Sequence, residues 1–114
     1  MTVRRKAPTA YNLPMVTEIA IFTVREGHQK DFEASVAKAQ KYFAAVDYCH
    51  EWKLIHCIEQ PDRYMLQVRW TDMESHTKTF RGSPEYADFR ATMGAFTSGP
   101  ADVQHYDDVP LPPA

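Results

Sequence analysis

Cysteine, glycine and charge of one sign are all scarce in this 114-residue chain, and each scarcity removes a class of protein. Its 2 cysteines, Cys49 and Cys57, fall in what reads as one strand, where a rise of about 3.3 Å per residue parts them by roughly 26 Å. That is too far for a disulfide, and no C-x-x-C zinc spacing occurs, so a reducing compartment is expected. The 13 basic and 15 acidic side chains leave a net charge of −2. Without a basic stripe there is nothing to neutralise nucleic-acid phosphates. Apolar runs stop after a few residues, too short to span a bilayer. Arg4, Arg5 and Lys6 are followed by Pro8, Asn12 and Pro14 instead of an apolar stretch, so no secretory signal is read and a cytoplasmic location is expected. No G-x-G-x-x-G follows a strand, so no flavin or nicotinamide signature is read, which fits a protein that uses no cofactor.

What is present is the ordinary material of one small domain, 44% hydrophobic and 25% charged. Residues 1–14 lack periodicity and read as an extension, 15–109 as the domain and 110–114 as a proline-rich tail. Val16–Val24 is β-branched and ends at Glu26-Gly27, a first strand. Phe32, Val36, Ala39, Phe43 and Val46 step by four and three, the spacing of one helix face. Cys49–Glu59 and Arg63–Thr71 alternate as two strands around the turn Gln60-Pro61-Asp62. Asp72 caps a short helix whose inner face would hold Met73, His76, Thr77 and Phe80. Ser83-Pro84-Glu85 restarts a helix as cap, first-turn proline and acid, turning Tyr86, Phe89, Met93 and Phe96 inward. Asp102–Val109 is the last strand.

The order β-α-β-β-α-β predicts the ferredoxin-like α+β arrangement, a four-stranded antiparallel sheet with both helices on one face. Tyr64, Leu66, Val68 and Trp70 should meet the helices. The other face keeps Met65 with Ile55 and Cys57, or Ile19 and Ile21, too apolar to stay wet. A second copy stacking there would make a symmetric homodimer.

Among chemistry-bearing residues, His76 shares its helix side with apolar neighbours, where it is either a base facing a ligand or a buried imidazole satisfied by a carbonyl. Trp70 fills volume at a strand end whatever else it does. Arg90 could hold a phenolate or carboxylate at a pocket mouth, or pair with Glu85 or Asp88. His105 and His50 read singly as structural histidines or as ligand contacts. Convergence of His50, His76 and His105 on a metal is open to the sequence, although their scatter predicts none. Phe80, Tyr86 and Phe89 belong to an aromatic set that packs a core and could line a cavity for a flat organic molecule.

The stretch HEWKLIHCIEQPDRYMLQVRWTDMESHTKTFRGSPEYADFR, followed by VQHYDDV, resembles the antibiotic biosynthesis monooxygenase domain proteins of the dimeric α+β barrel superfamily. The resemblance rests on Pro61-Asp62-Arg63-Tyr64, Trp70, Glu74-Ser75-His76 and Ser83-Pro84-Glu85. It implies a dimeric barrel and a cofactor-free monooxygenase acting with dioxygen on a small phenolic or quinol-type aromatic. Trp70 and Arg90 are similar to the Trp and Arg that surround an electron-rich phenol in polyketide-oxidising relatives. His76 stands where those relatives carry Tyr, and Leu66 stands near their Asn. The haem-degrading pattern is not matched, since Ala20 or Phe22, Phe80, and Phe89 or Arg90 occupy its places. A non-oxygenase binder or isomerase in the same pocket is the alternative reading.

Overall fold

The computed structural model describes residues 4–5 and 15–114 of the chain. Its elements are β1 (Arg4–Arg5), β2 (Val16–Thr23), α1 (Gln29–Ala44), β3 (Cys49–His56), β4 (Arg63–Trp70), a π-helical turn (Ser75–Phe80), α2 (Pro84–Met93) and β5 (Asp102–Asp107). The strands form one antiparallel sheet in the order β1-β3-β4-β2-β5. Without β1 this is the expected ferredoxin-like sheet, so the fold class read from the sequence holds. Within the expected extension, Arg4 and Arg5 add a short edge pairing with Trp52 and Glu51. The rest of that segment lies outside the described residues. Among the described residues no helix is long and apolar enough to cross a membrane.

Alternation decides the two sheet faces. Ala20, Phe22, Leu54, Tyr64, Leu66, Val68 and Trp70 are buried beneath the helices, and α1 adds Phe32, Val36, Ala39 and Phe43. Ile19, Ile21, Ile55 and Met65 on the opposite face are only half-buried in the single chain. The hairpin closes where Arg63 N donates to Gln60 O at 2.9 Å, as Pro61 predicts. At α2, Ser83 Oγ accepts from Tyr86 N at 3.3 Å with Pro84 in the first turn.

Several boundaries differ from expectation. β3 ends at His56 instead of Glu59, and a bulge between Cys49 and Glu51 breaks its alternation. The residue that the bulge adds is His50, so its expected place beside Trp52 and Leu54 is lost. The segment after β4 is a π turn instead of an α-helix, with Arg81 N donating five residues back to His76 O. Met73 is 52% exposed and does not join the inner face. α2 stops at Met93, and Thr97 instead bridges to Val24.

Candidate active site

β2 buries one charged residue on its helix-facing side. Glu18 shares the parity of Ala20 and Phe22 and is 6% exposed. Its neighbour across β4 is Val68, and across β5 it faces His105. Trp70, fully buried at the end of β4, donates its indole N–H to Glu18 Oε1 at 2.9 Å. His76 Nε2 approaches the same oxygen to 3.4 Å, and the His76 ring stacks on Trp70 at 4.9 Å between centroids. Nδ1 of His76 lies 2.7 Å from Nε2 of His105. Asp72 positions the turn that carries His76, its carboxylate accepting from both Ser75 N and Ser75 Oγ at 2.8 Å.

Glu18 and His76 open onto a cleft of about 410 Å³. Ala20, Phe22 and Leu66 supply its sheet side, Tyr86, Phe89 and Met93 its helix side, and Arg81 and Arg90 its charged groups. Among the sequence candidates, His76, Arg90, Leu66, Tyr86 and Phe89 therefore meet at one cavity. Trp70 and Phe80 stand behind it, with Phe80 packed 5.0 Å from Trp70 and 5.5 Å from Phe89. His105 reaches the cavity only through His76. His50 does not converge with them, because the bulge directs its Nε2 to Thr71 Oγ1 at 2.6 Å. The three-histidine grouping thus fails on geometry, and among the described residues no group of three His, Cys, Asp or Glu is arranged to hold a metal ion. Arg90 is exposed and pairs with neither Glu85 nor Asp88.

Sequence reasoning missed Glu18 and Arg81. Glu18 was findable, since a lone acid in VTEIAIFT at the parity of Ala20 and Phe22 is a charge headed for the core. Arg81 left no signal, because its direction depends on the extra residue in the π turn.

The electrostatics suit a proton acceptor. Burial raises the Glu18 carboxyl from 4.5 to about 7, against the opposing Trp70 N–H and Arg81 charge. Burial, then the charge of Arg81 and the neighbouring His105, lowers His76 from 6.5 to about 3. His105 is lowered too, by burial and Arg81. At neutral pH the imidazoles are uncharged and the carboxyl is near its midpoint, so the cluster can take up one proton.

Comparison with known proteins adds family information. The profile described as "Antibiotic biosynthesis monooxygenase" matches residues 15–92. An uncharacterized Bacillus subtilis (strain 168) protein, YczJ, is 33% identical over 95 residues, 83% of this chain and 100% of that protein. A Bordetella bronchiseptica crystal structure, assigned as an antibiotic biosynthesis monooxygenase, is 36% identical with a TM-score of 0.81, covering 84% of this chain and 98% of that one. SnoaB of Streptomyces nogalater, a cofactor-independent oxygenase, is 19% identical with a TM-score of 0.74, covering 89% and 99%, a likeness of fold.

Proposed function

This chain belongs to the antibiotic biosynthesis monooxygenase family, and from that premise we propose that it is a cofactor-independent monooxygenase oxidising a small phenolic or quinol-type aromatic in the Glu18–His76 cavity. The observation that carries this reading is the buried carboxylate 3.4 Å from a buried imidazole at the end of a largely apolar cleft. A phenol seated there loses its proton to that pair, and the resulting electron-rich anion reduces dioxygen directly. For a monohydric phenol going to a quinone, one oxygen atom enters the ring and the other leaves as water with two substrate hydrogens. The substrate supplies all four electrons. The protein supplies desolvation, orientation and a base. Arg81 and Arg90 sit where they can hold the phenolate or its substituents.

The isomerase reading keeps a foothold in Leu66, which gives this cavity an alkyl group near the place where phenol-oxidising relatives carry an amide. A base that returns the proton to another carbon would need no oxygen. Oxygen uptake separates the two. Wild-type protein incubated aerobically with a panel of dihydroxyaromatics should consume oxygen in step with product, and His76→Ala should fall by about 10² to 10⁴ in turnover. Product formation without oxygen consumption would establish the isomerase instead.

The proposal extends to the assembly. The open sheet face of Ile19, Ile21, Ile55 and Met65 suits a second copy of the chain, and we place the dimer in the cytoplasm, a reducing compartment that suits a chain with so few cysteines. Light scattering on dilute protein should give about twice the 13.1 kDa chain mass; a clean monomer would contradict the dimer.

A further inference from the structure

A proton taken from a ligand must leave the site, and a ligand filling the cavity separates Glu18 and His76 from the mouth. The two imidazoles offer another way out. His76 lines the cavity, whereas His105 lines a separate surface groove with Met73, Gln104 and Tyr106. The 2.7 Å contact between His76 Nδ1 and His105 Nε2 is therefore the link between two solvent compartments. β5 is the edge strand of the sheet, so among the described residues no further strand covers that exit. Met73 and Tyr106, 52% and 49% exposed, leave the groove open.

We propose that Glu18, His76 and His105 form a proton path from the cavity to the groove at the β5 edge, with His105 as its outer terminus. This deepens the monooxygenase reading and rests on it. The path starts with His76 donating from Nδ1 to His105 Nε2. The substrate proton reaches His76 Nε2 by way of Glu18. The Nδ1 proton of His76 passes to His105 Nε2, and the Nδ1 proton of His105 passes to water in the groove. One proton enters and one leaves, and both rings end in the opposite tautomer. Formation of water from the reduced oxygen takes a proton back, and return along the same path resets the rings.

The charged and titratable groups around the path are Glu18 from β2, His105 from β5, His76 and Arg81 from the π turn and its end, and Tyr86 and Arg90 from α2 across the cavity. Trp70 from β4 contributes only an N–H and a ring face. The positive charge of Arg81 disfavours holding a proton on either imidazole. The path conducts protons without storing them.

His105 is a positioning and relay residue, and timing tests it. Under argon, 3-nitrophenol, neutral in solution at pH 7 and coloured when ionised, is mixed with protein in weak buffer containing a pH indicator. In wild type the bound anion and the bulk proton should appear together. In His105→Gln, which keeps an acceptor for His76 but cannot pass a proton on, the anion should form to the same extent. The bulk proton should then lag by about tenfold or more. His105→Ala should lag likewise and be restored by added imidazole. Bulk release as fast in both variants as in wild type would overturn the path while leaving the monooxygenase reading standing. Absence of any bound anion in wild type would instead overturn that reading and the path together.

Discussion

Glu18→Gln is expected to lower turnover by about 10² to 10⁴ while the protein stays folded. Glutamine retains an oxygen for the Trp70 N–H, which now meets Glu18 Oε1 at 2.9 Å, so the indole is not left unsatisfied in the core. What disappears is the group able to take a proton beside His76. A purely structural Glu18 would show the reverse pattern, with turnover per folded molecule within about twofold of wild type. Steady-state kinetics and a melting temperature on the same preparation distinguish the two.

The second large effect is a pH dependence of stability in which two buried groups pull in opposite directions. Glu18 is raised from 4.5 to about 7, so between those values the folded protein binds a proton that the unfolded chain has released. Its contribution is fully present below about pH 4.5 and is lost as pH rises through about 7, a cost of about 3 kcal/mol at about 1.4 kcal/mol per tenfold. His76 is lowered from 6.5 to about 3, so the unfolded chain binds the extra proton. Its contribution is complete above about pH 6.5 and is lost as pH falls toward 3, by about 5 kcal/mol on the same conversion. Urea titrations at several pH values should therefore show Glu18→Gln nearly equal to wild type at pH 4 and more stable by about 3 kcal/mol at pH 8. A difference that does not change with pH would mean that Glu18 titrates like an exposed carboxylate. Turnover should climb through about pH 7 as Glu18 ionises.

These effects depend on features of unequal visibility in the sequence. Strict alternation from Tyr64 to Trp70 was enough to place β4, its partners and the helix face, because one buried face fixes register. Pro61 and Ser83-Pro84 marked a turn and a helix start through backbone preferences that hold in any context. His76 was legible as an inward histidine from its helical spacing, four residues before Phe80, which is also buried. Its partners were not. Glu18 and His105 are brought opposite each other by the β2–β5 register, a pairing across 87 residues that neither segment announces. His50 was misplaced because a bulge adds one residue to β3 without any glycine or proline to signal it. The π turn likewise gives Ser75–Phe80 an extra residue per turn, and Arg81, which follows it, lines the cavity.

The central claim is that Glu18, held by Trp70 and backed by His76, is the proton acceptor for a phenol bound in the cavity. The most direct measurement is the rate at which 3-nitrophenol, neutral in solution at pH 7 and coloured when ionised, ionises on binding under argon, in wild type and in Glu18→Gln at matched occupancy. The account predicts ionisation slower in the variant by about 10² or more. Equal rates in the two proteins, or ligand that stays neutral in wild type, would contradict it.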